Sequence, residues 1–157
     1  MRGHTKGREH QQHQPQRDVN GVTPGEHASH RTGIRTPSGA GEARALMAEL
    51  LGDAPGAAGP PLSEEARADA FLVTSELVTN AVRHGGGLTG FAAEINGELL
   101  KITVTDASDK SPRTAESHSA MSEGGFGWPL ICLLAEQVSI APLPGGGKTI
   151  QVTMPLR

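Results

Sequence analysis

Hydrophobic side chains recur at helical spacing along the segments 40–51 and 63–84 of the sequence. In the longer, residues 63–84, they return every three or four positions and so share one face of an α-helix. The residues on that face are Ala66, Ala70, Val73, Leu77 and Ala81. Ser63 is a favourable N-cap, and the three glycines at 85–87 favour a stop. Two shorter helices are predicted over 40–51 and 128–136.

The sequence predicts four β-strands, and in two of them, 99–105 and 149–154, apolar and polar residues alternate strictly. In the second strand, Leu100, Ile102 and Val104 alternate with polar residues, so one face of the strand is buried. The four predicted strands are 89–95, 99–105, 138–143 and 149–154. Asn96-Gly97 and the glycine-rich run 144–148 join them into two hairpins, which pair antiparallel strands. The sequence therefore predicts an α+β fold, a two-layer sandwich of a mostly antiparallel sheet with helices on one face.

Residues 1–36 differ in composition from the rest of the chain. They are rich in Gln, His, Arg, Gly and Thr, and they hold five of the seven histidines. Such a segment buries too little apolar surface to offset its ordering entropy, so we expect a disordered, basic, His-rich tail. Residues 37–157 are predicted to form one domain. Within it, the polar segment 107–124 is longer than most loops, which indicates a functional lid or a disordered insert.

Charge and hydropathy exclude several classes of protein. The tail has six Lys/Arg against three Asp/Glu, and the rest of the chain has eight against fourteen. The acidic domain argues against direct nucleic-acid binding through a basic face. No apolar stretch approaches the roughly 18 residues of a membrane helix, and the N-terminus lacks a signal-peptide core. We therefore expect a cytoplasmic protein without membrane contact, in which the single cysteine, Cys132, is a small buried hydrophobe.

Glu76 and Asn80 form the first candidate chemical pair. They lie four residues apart on the long helix, so their side chains project from the same face. A carboxylate beside a neutral carboxamide suits Mg²⁺, which prefers oxygen ligands and keeps several of its waters. The alternative is an ordinary polar stripe on the exposed side of the helix.

Asp106 and a cluster of glycines are the other candidates. By alternation Asp106 faces the helix layer, where a buried carboxylate needs a hydrogen-bond donor. That donor is either a ligand amine, such as the exocyclic amine of adenine, or a local group such as a backbone amide or the Ser108 hydroxyl. The glycines of segment 124–127 precede a predicted helix, where free backbone amides suit a phosphate. A plain turn is the alternative for these glycines.

Four segments, in this order, resemble the motifs of the histidine-kinase-like (GHKL or Bergerat) ATPase superfamily. Residues 76–85 (ELVTNAVRHG) resemble its N-box, and residues 104–108 (VTDAS) resemble its first glycine box. Residues 123–127 (EGGFG) resemble the second box, and residues 147–149 (GKT) the third. The similarity covers roughly residues 40–155 and is greatest to the actinobacterial anti-sigma factor serine kinases.

The resemblance implies a Bergerat fold that binds ATP and Mg²⁺ under a lid. By position, Asn80 would coordinate Mg²⁺ and bridge it to the phosphates. Glu76 would be the catalytic general base, or would orient the attacking hydroxyl. Phosphoryl transfer depends mainly on positioning and charge neutralisation, so a small set of residues can suffice.

The remaining site residues are also assigned by the resemblance. Asp106 would accept a hydrogen bond from the adenine amine, and Ser108 stands where many relatives have glycine in the same motif. Thr149 would support Asp106 and adenine through water. Gly125 and Gly127 would present backbone amides to the phosphates as the lid closes.

At the level of function, the resemblance implies an anti-sigma factor with protein serine/threonine kinase activity toward a STAS-type anti-sigma antagonist. The alternatives are a non-catalytic ATP-binding module that sequesters a sigma factor or another regulator, and a small ATP-binding accessory domain. Glu76 favours the kinase, because a binder needs no base. Phe126, where relatives often have a basic residue, favours the binder. Relatives often dimerise, so a homodimer is a further expectation.

Overall fold

The computed structural model of the chain describes residues 30–53, 62–112 and 127–157, and it contains three helices and five strands in these ranges. The helices are α1 (Ala40–Asp53), α2 (Glu64–His84) and α3 (Gly127–Leu134). The strands are β1 (His30–Arg31), β2 (Leu88–Asn96), β3 (Leu99–Asp106), β4 (Gln137–Pro142) and β5 (Lys148–Pro155). Each predicted helix and strand is present, with its ends shifted by two residues or fewer.

The strands form one sheet in the order β1-β2-β3-β5-β4, and all neighbours are antiparallel. Both predicted hairpins are present, since β2 pairs with β3 and β4 pairs with β5. One face of the sheet is buried together with the apolar faces of α1 and α2. Its buried residues are Phe91, Ala93, Ile95, Leu100, Ile102, Val104, Ile150, Val152 and Met154. The predicted α+β fold, with helices on one face of an antiparallel sheet, is confirmed.

Helix α2 is fixed at both ends by the groups that the sequence indicates. The Ser63 hydroxyl accepts a hydrogen bond from the Ala66 N–H at 3.0 Å, which satisfies one of the free amides of the first turn. At the other end, the Gly85 N–H donates to the carbonyls of Asn80 and Ala81, each at 3.0 Å. The predicted apolar face of α2 is buried against the sheet and α1.

The sheet begins earlier along the chain than predicted. Strand β1 pairs with β2 near its end, and Arg35 forms a further antiparallel bridge with Phe91. Arg35 and Phe91 exchange two backbone hydrogen bonds, of 2.9 and 2.7 Å. Residues 30, 31 and 35, which lie within the segment expected to be a disordered tail, thus pair with β2. Residues 1–29 lie outside the described residues.

Helix α3 differs from its prediction in its end and in its buried side. It ends at Leu134, two residues before the predicted end. Gly127 and Ile131 are buried, whereas Cys132, expected to be buried, is exposed. No helix in the three described ranges combines the length and apolar character needed to cross a membrane.

Candidate functional site

Glu76 and Asn80 lie on the same side of the second half of α2, as their spacing predicts. Both side chains are half-buried, whereas their neighbours Leu77 and Val78 are fully buried in the core. The hydrophobic residues thus fix the rotation of the helix, and the two polar side chains remain within reach of a ligand. With a spacing of four residues, the two side chains are neighbours on the helix surface.

Glu76 is in close contact with the first residue of α3. A Cβ added at Gly127 would overlap the Glu76 carboxylate oxygen Oε2 and would lie 3.0 Å from its carboxyl carbon. Helix α3 can therefore begin against this carboxylate only because residue 127 has no side chain. The N-terminal end of a helix carries a partial positive charge, so the negative Glu76 is electrostatically favoured there. The structure thus brings together two of the predicted site residues, Glu76 and Gly127.

Asp106 forms the centre of the other half of the site. It is the last residue of β3, points toward the helix layer as predicted, and is only 3% exposed. Its Oδ1 atom accepts hydrogen bonds from the Ser108 N–H at 3.0 Å and from the Lys148 Nζ at 2.8 Å. Ser108 therefore contributes its backbone amide to Asp106, while its hydroxyl accepts a hydrogen bond from the Lys110 N–H at 3.2 Å.

Lys148 also belongs to this cluster, although it was not among the site residues predicted from the sequence. It lies opposite Asp106 in the pairing of β3 with β5, and it is 5% exposed. Besides the Asp106 carboxylate, its ammonium group contacts the Ser108 carbonyl oxygen at 3.0 Å. The signal was present in the sequence, because the alternation of Ile150 and Val152 extends back to Lys148 on the same buried face.

Thr149 does not belong to this cluster. It follows Lys148 on β5, so its side chain lies on the opposite face of the sheet from Asp106. There its Oγ1 atom is 3.3 Å from the Oγ1 atom of Thr105, the residue opposite it on β3. The structure thus does not bring Thr149 to Asp106, and Lys148 occupies the position expected for the threonine.

Gly85 connects the two halves of the site. A Cβ added at Gly85 would lie 2.6 Å from the Asp106 carboxyl carbon, so the Asp106 carboxylate packs directly on the glycine. The Gly85 N–H donates to the Asn80 carbonyl at 3.0 Å. Asn80 and Asp106 therefore lie at the same end of α2 and on the same side of the sheet. A single ligand can contact both side chains only if they are placed in this way.

The hairpin between β4 and β5 closes on the segment that follows β3. Gly147 adopts a φ of +89°, and a side chain at this position would overlap the Asp106 carbonyl oxygen. Its N–H donates to the Asp109 Oδ1 atom at 2.6 Å. The hairpin thus packs against residues 106–109 through backbone as well as side-chain contacts.

Among the predicted phosphate-binding glycines, Gly125 lies outside the described residues, as does most of the predicted lid. In the described parts of the chain, no group of three His, Cys, Asp or Glu side chains could hold a metal ion by itself. The oxygens of Glu76 and Asn80 fit a cation that takes most of its ligands from water and phosphate, as Mg²⁺ does. These two side chains do not fit a metal ion that takes all of its ligands from protein.

Comparison with known proteins places these features in a family. A family model described as "Histidine kinase-like ATPase domain" matches residues 38–154, which include both halves of the site. Among solved structures, the chain is similar to the histidine kinase domain of the blue-light activated histidine kinase EL346 from Erythrobacter litoralis. The identity is 20% and the TM-score 0.46, and the match covers 72% of this chain and 60% of that one. No curated protein matches the sequence.

Proposed function

The chain belongs to the histidine kinase-like ATPase domain family, and we propose that the site at the C-terminal end of α2 binds Mg·ATP. One observation carries the proposal. Gly85 packs on the Asp106 carboxylate and donates to the Asn80 backbone carbonyl, so the residue proposed to bind the purine lies at the end of α2 that carries the proposed metal ligand. A nucleotide whose base contacts Asp106 would extend its phosphates toward Asn80 and Glu76.

Each residue of the proposed site has a defined role. Asn80 would coordinate the ion through its carboxamide oxygen, and Glu76 would accept the proton of the attacking hydroxyl. Asp106 would accept a hydrogen bond from the 6-amino group of adenine. Gly125 and Gly127 would donate backbone amides to the phosphates. Bound Mg²⁺ would neutralise charge on the phosphates during phosphoryl transfer.

At a finer level, the proposed function is that of an anti-sigma factor with protein serine/threonine kinase activity. Its substrate would be a serine on a STAS-type anti-sigma antagonist, and its second partner a sigma factor. The motifs over residues 76–85 and 104–108 support this branch of the family, as does the presence of Glu76. The role implies a cytoplasmic protein and is compatible with a homodimer.

The binding step is tested by calorimetric titration of ATP with and without Mg²⁺. Asn80→Ala removes the proposed metal ligand, so the Mg²⁺-dependent affinity for ATP should fall by about tenfold or more. Asn96→Ala, which removes an exposed carboxamide at the end of β2, should leave the affinity unchanged. Equal affinities of wild type and Asn80→Ala in Mg²⁺ would contradict the assigned role of Asn80.

The transfer step is tested by incubation with γ-labelled ATP and a STAS-type antagonist. In Glu76→Gln the proposed base is lost while the side chain keeps its shape. Transfer of label should therefore fall by about 10²-fold or more, with ATP affinity retained. Glu98→Gln, at an exposed turn position, is the control and should transfer normally.

The alternative function is a non-catalytic module that binds ATP and sequesters a sigma factor or another regulator. Phe126 favours it, because a basic residue often stands at this position in relatives and would contact the terminal phosphate. If the wild-type chain binds Mg·ATP but transfers no label to any antagonist, the alternative replaces the kinase. Capture of a sigma factor by the ATP-bound chain would then identify the function of the module.

A further inference from the structure

We propose that Lys148 is a positioning residue that fixes the Asp106 carboxylate for recognition of a 6-aminopurine. The inference rests on the proposed nucleotide site and adds to it a residue that determines base specificity. It is carried by the geometry of the cluster formed by Asp106, Ser108, Asp109, Gly147 and Lys148, called here the Asp106 clamp.

The ion pair between Lys148 and Asp106 differs from an exposed ion pair of the same sheet in its burial. Lys148 and Asp106 are 2.8 Å apart, and their side chains are 6% and 3% exposed. The pair Lys101–Glu94 on the open face of the sheet has nearly the same length, 2.9 Å, with exposures of 40% and 20%. Water screens the second pair and allows both of its side chains to move, whereas burial holds the first in one geometry.

The hydrogen bonds of Asp106 are divided unequally between its two oxygens. Oδ1 accepts from both the Ser108 N–H and the Lys148 Nζ. Oδ2 lies against Gly85, at the end of α2 that also carries Asn80. The two donors thus determine the rotation of the carboxylate and leave Oδ2 on the side of Gly85, at the end of α2 where the nucleotide is proposed to bind.

The clamp also fixes the segment that carries Asp106. Lys148 donates to the Ser108 carbonyl at 3.0 Å, and the Gly147 N–H donates to the Asp109 carboxylate at 2.6 Å. Three contacts therefore join the start of β5 to residues 106–109, two of them through the Lys148 ammonium group. Loss of this group would release both the carboxylate and the backbone that carries it.

A fixed Oδ2 acceptor discriminates between purines by the group at position 6. An amino group donates to it, a hydrogen atom forms no bond, and a 6-oxo group would place a second acceptor against a carboxylate. A hydrogen bond to a charged group corresponds to a preference of about tenfold to a hundredfold. We expect the wild-type chain to prefer ATP over purine riboside triphosphate, which lacks the 6-amino group, by this factor.

The test measures that preference in Lys148→Met and, as the matched control, in Lys101→Met. Lys148→Met should reduce the preference for ATP to below about threefold, because Oδ2 is no longer held in place. Lys101→Met should keep the wild-type preference. A merely structural role of Lys148 would weaken both nucleotides equally and leave their ratio unchanged, and that result would overturn the inference.

Magnetic resonance of the wild-type chain tests the inference without a variant, should Lys148→Met fail to fold. The Lys148 ammonium signal should persist when ATP is added, and the Asp106 carboxyl carbon should shift with ATP but not with purine riboside triphosphate. Departure of Lys148 from Asp106 on ATP binding would overturn the inference and leave the proposed function intact. A wild-type chain that binds neither nucleotide would overturn the proposed function, and this inference with it.

Discussion

Gly127 shows how a single missing side chain determines the geometry of the site. It begins α3 against the Glu76 carboxylate, and a methyl group there would overlap an oxygen of that carboxylate. Alanine normally stabilises a helix relative to glycine, because it loses less backbone entropy on folding. At residue 127 the steric overlap opposes this gain. The change in the free energy of unfolding caused by alanine at this position therefore indicates whether the contact constrains the helix.

We predict that Gly127→Ala displaces the Glu76 side chain and lowers the free energy of unfolding by up to about 1 kcal/mol, the low end of the range for overpacking, because the group that it meets is the end of a flexible side chain. The control is Gly41→Ala in α1, where an added Cβ meets nothing within 4 Å. That variant should be more stable than wild type by about 0.5–1 kcal/mol. Urea unfolding of both variants gives the two values. If Gly127→Ala were stabilised as much as Gly41→Ala, the contact with Glu76 would not constrain the start of α3.

At the same scale, the sequence predicted the buried face of Asp106 but not its main partner. Alternation along β3 is strict, so the direction of the side chain followed from its position alone. Alternation along β5 places Lys148, and not Thr149, on the buried face. That Lys148 lies directly opposite Asp106 also required the register between β3 and β5, which alternation on one strand does not contain. The resemblance indicated Thr149, whereas the observed register places Lys148 opposite Asp106.

Among the elements, α2 and α3 show when the bounds and the buried face of a helix can be predicted from sequence. Helix α2 has an N-cap serine, one apolar face and a glycine stop, and its bounds were predicted almost without error. Helix α3 reads GWPLICLL, which has no charged side chain to mark the solvent side. Its buried face is set by what it packs on, so the exposure of Cys132 was not predictable. Strand β1 has only two residues and was missed because it carries no periodicity.

The first turn of α1 contains a carboxylate whose protonation should affect stability. The Ser38 backbone N–H and then the Ser38 hydroxyl donate to Glu42, at 2.8 and 2.9 Å, and lower its pKa below the ordinary value of 4.5. A group with a lowered pKa in the folded state stabilises the fold above its ordinary pKa. That contribution disappears as the pH falls through the lowered value.

Accordingly, Glu42→Gln should be less stable than wild type at pH 7, and the difference should vanish below the lowered pKa of Glu42. Thermal melts of both proteins between pH 7 and pH 3 measure this convergence. Glu49→Gln, further along the same helix and exposed, is the control. Parallel curves for wild type and Glu42→Gln across the whole pH range would contradict the proposed contribution of Ser38.

Across the whole molecule, the site is assembled from parts that are distant in sequence. Residues 76–85 of α2 and the turn after it, the end of β3 and the start of β5 converge at one end of the helix layer, and α3 begins against α2. The elements themselves followed from local periodicity. Their convergence depended on topology, namely the placement of β5 between β3 and β4, which local patterns do not specify.

This convergence makes the stability of the whole domain a measure of ligand binding. A nucleotide that contacts α2 and β3 together binds the native state but not the unfolded chain, so it raises the free energy of unfolding by linkage. At a free concentration of about 100 times its Kd, the gain is about 2.7 kcal/mol. For a domain of this size, that gain corresponds to a rise in Tm of roughly 5–10 °C.

We therefore expect Mg·ATP to raise the melting temperature by this amount and in proportion to the logarithm of its concentration. ATP with a chelator should raise it less, and in Asn80→Ala the difference between the two conditions should disappear, because the metal would then lack its protein ligand. Differential scanning calorimetry distinguishes this linkage from a general salt effect, since Mg²⁺ with inorganic phosphate should produce no comparable shift. A melting temperature that is the same with and without Mg·ATP would mean that α2 and β3 do not share one nucleotide.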